Sequence, residues 1–206
     1  MPETFAGAGT PFSWPIPGAA PTPRDVVATD GTSRLYRFRG QARPNKGGGR
    51  RLPLLLVPSM INRWYVLDLR EGASLAAALS ADLDVFCLDW GVPEDEDRHR
   101  TWDDVIARLE RAMRRVLRAS GEERLGVLGY CMGGTLSAIA AARNPDKVAA
   151  LGNLAGPIDF SKGGLLAELV APSHFDAAAG NGMLSLAHVS SDEKPSRNAG
   201  SSLRSA

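Results

Sequence analysis

Cys131 is the residue whose type and surroundings most clearly indicate chemistry. It is the central residue of Gly129-Tyr130-Cys131-Met132-Gly133, a pattern of glycine, any residue, nucleophile, any residue and glycine. Such a pattern forms a sharp elbow between a strand and a helix and exposes the central side chain. The dipole at the start of a helix favours a thiolate, the nucleophilic form of cysteine. The pattern predicts a covalent nucleophile; the alternative is a small buried residue in a glycine-rich turn.

The neighbours of Cys131 have predicted roles of their own. Side chains at Gly129 or Gly133 would collide with the adjacent strand and helix, so the elbow requires glycine at both positions. The main-chain N–H of Met132 is expected to point at a developing oxyanion. Cys87, the second cysteine, lies between Phe86 and Leu88 in an apolar run, and we expect it to pack in the core.

Short apolar runs bounded by breakers predict strands that are buried on both faces of a sheet. They alternate with helical segments, the clearest of which begins at an N-cap, Thr101, carries Trp102 on its apolar face and stops at Gly121. This alternation predicts an α/β fold, with a parallel sheet and helices on both faces. The predicted strands are 33–39 at an edge, 52–58, 84–90, 125–129 and 148–154, and the predicted helices are 74–80, 101–120 and 135–143.

Composition divides the chain into three predicted parts. Residues 1–33 are rich in proline and glycine, which predicts an extended irregular arm. Residues 34–170 hold the alternating strands and helices. Residues 171–206 are dominated by small and polar residues, which predicts a tail of low order.

Several function classes are disfavoured by the composition. A formal net charge of +1 with 23% charged residues gives no general attraction to nucleic acid. The two cysteines form no Cys-x-x-Cys pair, so neither a disulfide framework nor a zinc site is expected. The sequence shows no leader pattern and no apolar run near the ~20 residues of a spanning helix. We therefore expect a cytoplasmic protein with no membrane span and no bound cofactor or metal.

Four blocks of the sequence closely resemble the polyhydroxyalkanoate (poly-3-hydroxybutyrate) synthases, which have an α/β-hydrolase fold. The resemblance runs from about Leu52 to about Val170, and its most specific part is Met60 to Leu69. The cysteine elbow alone is less specific, because dienelactone hydrolases share it. The short amino-terminal arm is similar to that of the smaller synthases, which work with a partner subunit. The resembling blocks are 54–69, 84–91, 129–134 and 153–161.

The resemblance implies an acyltransferase. A hydroxyacyl-coenzyme A thioester would acylate Cys131, and the hydroxyl of another acyl unit would then extend a polyester. The second oxyanion donor maps to the main-chain N–H of Ile61, and its neighbours Asn62, Trp64 and Tyr65 would either wall the entrance or pack in the loop. The implied partners are a synthase subunit or a second copy of the chain, and the surface of a polyester granule.

One departure from the family concerns the base and acid that should follow the nucleophile in chain order. The family's Asp and His motifs lie further downstream than residue 206. His99 precedes the elbow in a charged loop. His174 and His188 lie in surroundings that do not resemble the family's catalytic histidine loop, and Asp159 is expected in a turn. We therefore expect an α/β-hydrolase-type sheet that is incomplete at its carboxyl end, from a truncated or frame-shifted product that lacks full activity. The alternatives are a dienelactone-type ester hydrolase and a non-catalytic remnant that binds a synthase.

Overall fold

The computed structural model describes residues 18–39 and 51–159, and its main feature is a six-stranded sheet. The strands follow the spatial order β1-β2-β6-β3-β7-β8. Two further short strands, β4 and β5, pair with each other in a separate hairpin. The strand bounds are β1 Arg24–Asp30, β2 Ser33–Phe38, β3 Pro53–Val57, β4 Asp68–Arg70, β5 Ala73–Ser74, β6 Asp84–Asp89, β7 Leu125–Tyr130 and β8 Val148–Leu154.

Three α-helices and two 3-10 helices connect these strands. The longest, α2, begins where Thr101 Oγ1 accepts a hydrogen bond from Asp104 N at 3.2 Å and Asp104 Oδ2 accepts one from Thr101 N at 2.9 Å. It ends at Gly121, whose φ of +73° is a left-handed conformation that glycine adopts readily. The bounds are α1 Leu75–Ser80, α2 Trp102–Ser120 and α3 Met132–Arg143, with 3-10 helices at Trp64–Leu67 and Asp95–His99.

The predicted α/β class is confirmed, and the sheet is mixed rather than wholly parallel. Strands β6, β3, β7 and β8 are parallel, whereas β1 and β2 are antiparallel to their neighbours. The strand predicted at 33–39 is confirmed as β2, but its expected place at an edge of the sheet is wrong, because β1 pairs with its outer side. Residues 24–32, which we expected in an irregular arm, instead form β1 and the turn that follows it. The expected arm before residue 18, the incomplete carboxyl end and the tail lie outside the described residues.

Helices cover both faces of the sheet, as the alternation predicted. On one face, Leu55 and Val57 of β3 pack with residues of α2 and α3, including Leu109 and Leu136. On the other face, Leu56 belongs to a second cluster that holds Trp64, Leu67, Ala76 and the fully buried Cys87. The change of face between successive residues of β3 is the two-residue period of a strand. Its apolar run is continuous because both faces are covered.

The order of the strands determines where a ligand site is expected. The chain passes from β3 to β6 on one side and then returns past β3 to β7 on the other side. In open α/β sheets, ligands bind outside the carboxyl ends of the strands at such a reversal. The loops after β3, β6 and β7 meet at this edge, and Cys131 follows β7 directly.

Candidate active site

Cys131 lies at a strained turn between β7 and α3. Its φ of 53° is positive, a conformation that is uncommon for a residue with a side chain. The Cys131 N–H donates to the carbonyl oxygen of Leu154 in β8 at 2.9 Å, and the Cys131 carbonyl accepts from Gly134 N at 2.7 Å. The helix predicted from Thr135 begins at Met132, so the half-buried Cys131 is the N-cap residue of α3.

Gly129 and Gly133 lie where the elbow leaves no room for a side chain. A Cβ atom on Gly129 would lie 2.4 Å from the carbonyl oxygen of Gly133 in α3. A Cβ atom on Gly133 would lie 2.0 Å from the carbonyl oxygen of Val57 at the end of β3. These backbone atoms cannot move without shifting a strand or a helix, so the contacts account physically for both glycines.

The segment after β8 supports the elbow from the other side. The side chain of Asn153 accepts from Gly156 N at 2.8 Å and donates to the Gly156 carbonyl at 3.2 Å. Thr135 Oγ1 in the first turn of α3 donates to the Pro157 carbonyl at 2.6 Å. The same Asn153 oxygen would lie 2.3 Å from a Cβ atom on Gly134. Asn153 is therefore a positioning residue that sequence reasoning missed, although it lies inside one of the resembling blocks.

The two predicted oxyanion donors differ in whether their main-chain N–H groups already have a hydrogen-bond acceptor. Met132 is the first residue of α3, and an N–H in the first turn has no acceptor within its own helix. Ile61 lies in the loop after β3, where its N–H donates to Ser59 Oγ at 3.2 Å. The Ile61 amide is therefore occupied by the buried Ser59 hydroxyl, and that hydrogen bond must be exchanged before the amide can bind an oxyanion.

Trp90 joins the loop after β6 to the loop after β3. Its indole Nε1 donates to the Pro58 carbonyl oxygen at 2.9 Å. The same oxygen would lie 2.7 Å from a Cβ atom on Gly133. Pro58 therefore lies against both the elbow and Trp90, and the loop that carries Ile61 is held from two sides. Trp90 was predicted only as the end of a strand, because hydrogen bonds between loops leave no periodic pattern.

A cleft of about 460 Å³ opens beside the elbow. Trp102, expected on the apolar core face of α2, is 66% exposed and forms part of this cleft, so that expectation is wrong. The cleft connects the loops after β3 and β6 with the starts of α2 and α3. Its lining residues are Met60, Ile61, Trp90, Gly91, Pro93, Asp97, Arg100, Thr101, Trp102, Val105, Arg108 and Met132.

Charged side chains occupy one side of the cleft. Arg108 is 8% exposed, and its Nη1 donates to Ser33 Oγ at 2.6 Å. Burial lowers the pKa of Arg108, the nearby Arg100 lowers it further, and Asp30 and Asp97 oppose both effects. Arg100 forms an ion pair with Asp97. These groups give an otherwise apolar cleft a few fixed polar contacts.

The remaining predicted residues are placed as follows. His99 is exposed in the 3-10 helix before α2, and Asp159 is exposed at the end of the described segment. His174 and His188 lie outside the described residues. Trp64 is 6% exposed and packs against Tyr36 with ring centroids 4.8 Å apart, so it belongs to the core and not to an entrance.

Residues 18–39 and 51–159 contain no cluster of His, Cys, Asp and Glu suited to a metal ion. None of their helices combines the length and apolar character that crossing a membrane requires.

The chain is similar in sequence to known polymerase subunits. The poly(3-hydroxyalkanoate) polymerase subunit PhaC of Synechocystis sp. is 37% identical over 147 residues, which are 70% of this chain and 38% of that protein. The PhaC subunit of Haloferax mediterranei is 36% identical over 148 residues, 70% of this chain and 29% of that protein. The chain thus spans 38% of the length of the first relative and 29% of the length of the second.

The fold is shared more widely than the sequence. The solved structure of the Francisella virulence factor BioJ matches with a TM-score of 0.50 at 11% identity, over 68% of this chain and 46% of that one. A family model described as alpha/beta hydrolase fold matches residues 53–181. The chain therefore belongs to the α/β hydrolase fold family, and the two sequence relatives named above are poly(3-hydroxyalkanoate) polymerase subunits.

Proposed function

We propose that this chain is a cysteine acyltransferase of the poly(3-hydroxyalkanoate) polymerase kind. It would move 3-hydroxyacyl groups from coenzyme A thioesters to a growing polyester. The observation that carries the proposal is the strained Cys131 at the start of α3, in a chain that resembles these polymerases over 70% of its length. A thiol can accept an acyl group from a thioester with little change in free energy, because one thioester replaces another.

In the first step, the sulfur of Cys131 attacks the carbonyl carbon of the thioester. The carbonyl oxygen gains negative charge, which the Met132 amide stabilises at once and the Ile61 amide after it leaves Ser59. The bond between that carbon and the coenzyme A sulfur then breaks. Coenzyme A leaves with the proton that the Cys131 thiol gave up, and the acyl group remains on Cys131.

In the second step, the hydroxyl oxygen of another hydroxyacyl unit attacks the acyl-cysteine. An oxygen ester forms, the bond to sulfur breaks, and the hydroxyl proton returns to the Cys131 sulfur. General-base help normally comes from a histidine that follows the nucleophile. Among residues 18–39 and 51–159 the only histidine is the exposed His99, which precedes the elbow. We therefore expect slow acylation and little turnover.

The test is a single-turnover reaction with 3-hydroxybutyryl-coenzyme A. Intact-mass analysis is expected to show one hydroxybutyryl group on each chain, together with one released coenzyme A. Cys131→Ala should abolish the adduct, whereas Cys87→Ala, the matched control, should retain it. Absence of an adduct on the unaltered chain would refute the proposal.

The same assay separates the two other functions. A dienelactone-type hydrolase would release acid from small esters with many turnovers and without accumulating an adduct. A non-catalytic remnant would co-purify with a synthase and show no activity that depends on Cys131.

The proposal also includes a cellular location and a partner for the chain. The chain would work in the cytoplasm at polyester granules, with a synthase subunit or with a second copy of itself. Fractionation of granules from polyester-producing cells should recover it in the granule layer. Recovery only in the soluble fraction would remove this part of the proposal and leave the acyl transfer intact.

A further inference from the structure

We propose that the cleft lined by Met132, the residue that follows Cys131, binds the acyl chain of the substrate, and that Trp102 and Met60 set the chain length it accepts. The inference rests on the proposed acyl transfer and deepens it by locating the acyl group. It makes the cleft, rather than the elbow alone, the source of substrate preference.

The bonds of the proposed acyl-enzyme indicate where the acyl chain can lie. The carbonyl carbon attached to Cys131 has only two other substituents, its oxygen and the acyl chain. Met132 and Ile61, whose amides are the proposed hydrogen-bond donors to the oxygen, both line the cleft. An acyl group held with its oxygen at those amides therefore lies at the cleft, which gives its chain room to extend.

The lining of the cleft suits an apolar chain that carries a hydroxyl group. Much of the wall is apolar, and a volume of about 460 Å³ lies within the usual range for small-molecule pockets. A buried hydroxyl needs a hydrogen-bond partner, and Asp97, Arg100 and Arg108 line the cleft. The apolar wall consists of Met60, Ile61, Trp90, Pro93, Trp102, Val105 and Met132.

The arm of coenzyme A is a poorer occupant. Its phosphates would need free cationic groups, but Arg100 is paired with Asp97. Arg108 is 8% exposed and is held by Ser33, so it is not presented to a bulky polyanion. The charged side of the cleft therefore fits a single hydroxyl better than a diphosphate.

Trp102 and Met60 are the lining residues best placed to control length. Trp102 is 66% exposed and Met60 is 41% exposed, so neither side chain is part of the core. Val105 and Arg108, in contrast, are buried in α2. Changes at Trp102 and Met60 should alter the cleft while leaving the sheet and its helices intact.

The experiment measures binding separately from acylation. The full chain carrying Cys131→Ala would be titrated by calorimetry with coenzyme A alone and with 3-hydroxybutyryl-, 3-hydroxyhexanoyl- and 3-hydroxyoctanoyl-coenzyme A. Affinity is expected to rise with chain length, by up to about fourfold for each buried methylene. Trp102→Ala should weaken binding of the octanoyl thioester by about tenfold and leave coenzyme A within about twofold. Met60→Trp should narrow the cleft and also select against the longest chain.

Ile139→Ala is the matched control, because Ile139 is 44% exposed on α3 and does not line the cleft. It should leave every affinity unchanged. Equal affinity for coenzyme A and all thioesters would overturn the inference. If Trp102→Ala lowers the affinity for coenzyme A and for every thioester by the same factor, the inference is also overturned, because the coenzyme A arm would then occupy the cleft. If binding depends on chain length but the unaltered chain forms no adduct, the acyl-binding role of the cleft stands and the proposed acyl transfer is refuted.

Discussion

The two cysteines illustrate how position decides the chemistry of one residue type. Cys87 is fully buried in β6, and burial raises the pKa of its thiol well above the usual value, with Asp89 and Asp68 adding to the effect. A protonated, inaccessible thiol does not react with alkylating reagents. Cys131 is half-buried at the start of α3, next to Met132, which lines the cleft.

We therefore expect iodoacetamide at neutral pH to modify Cys131 and to leave Cys87 unmodified. Peptide mass mapping of the native protein checks this, and denaturation before labelling should expose both cysteines. In Cys131→Ala the native protein should take up no label. Native labelling of Cys87 would mean that β6 opens far more readily than its burial indicates.

Gly133 provides a second test at the level of one residue. Gly133→Ala forces a Cβ atom to within 2.0 Å of the Val57 carbonyl oxygen, and so the end of β3 or the start of α3 must shift. We expect the free energy of unfolding to fall by about 2–3 kcal/mol, as for other overpacked sites, and the proposed acylation to be lost. Urea unfolding monitored by circular dichroism measures the first effect.

Gly152→Ala is the control for Gly133→Ala. Its Cβ atom would meet the end of the Leu128 side chain at 2.6 Å, and that side chain can rotate away. A cost below about 1 kcal/mol is expected. Equal costs for the two variants would show that the contact with β3 is not what requires glycine at position 133.

At this scale the sequence predicted the elbow that carries Cys131 and the glycines that the elbow requires, because their spacing is local. It did not predict the supporting contacts of Asn153 and Trp90. Asn153 bonds to Gly156, only three positions later, in a loop whose hydrogen bonds leave no periodic pattern in the sequence. Trp90 bonds to a carbonyl group 32 positions earlier, a contact that arises only when β3 and β6 are brought side by side.

At the scale of elements, α2 depends on its first turn. Hydrogen bonds from the Thr101 N–H and then from its hydroxyl lower the pKa of Asp104 below the ordinary value of 3.8. The carboxylate therefore favours the folded state while it is ionised. This contribution is present above pH 3.8 and is lost as the pH falls through the lowered pKa of the folded protein.

Thr101→Ala is expected to lower the free energy of unfolding by about 1 kcal/mol near neutral pH, as for other N-cap removals. The difference from the unaltered protein should shrink in acid, where Asp104 is protonated. Thermal unfolding between neutral and acid pH measures both effects. Thr29→Ala, at an exposed position of β1, should give a small difference that does not vary with pH in this way.

Elements with an apolar signature were predicted well, and those without one were not. The central strands have continuous apolar runs because helices cover them on both faces. Strand β1 was missed because none of its residues is fully buried, so it lacks a clear apolar pattern, and it is paired along its length with β2. Trp102 was misplaced because it fits the helical period of α2, although the first turn of that helix lies at the cleft and not at the core.

At the scale of the molecule, the two edges of the sheet differ in character. Strand β8 is outermost among the described strands on its side, and its exposed Leu151 and Leu154 are 43% and 44% accessible. Strand β1 on the other side carries Arg24, Asp25 and Asp30. Uncharged apolar edges promote pairing between molecules, whereas charged edges oppose it.

We expect the chain to self-associate through β8 as its concentration rises. Leu151→Lys should weaken this association by about tenfold, because a lysine would have to be buried at the new interface. Sedimentation velocity over a range of concentrations measures the change. Val26→Lys, on the opposite edge, should have little effect, and an equal response to the two substitutions would exclude β8 as the specific contact.

The placement of the tryptophans also has a spectroscopic consequence. Trp64 is 6% exposed in an aromatic cluster, whereas Trp102 is 66% exposed at the cleft. Light emitted from Trp64 should therefore be blue-shifted and protected from soluble quenchers, while emission from Trp102 should be red-shifted and easily quenched. A ligand that fills the cleft would move the Trp102 emission towards the blue and leave that of Trp64 unchanged. The protein thus carries an intrinsic fluorescent reporter of cleft occupancy, with an internal reference in its own core.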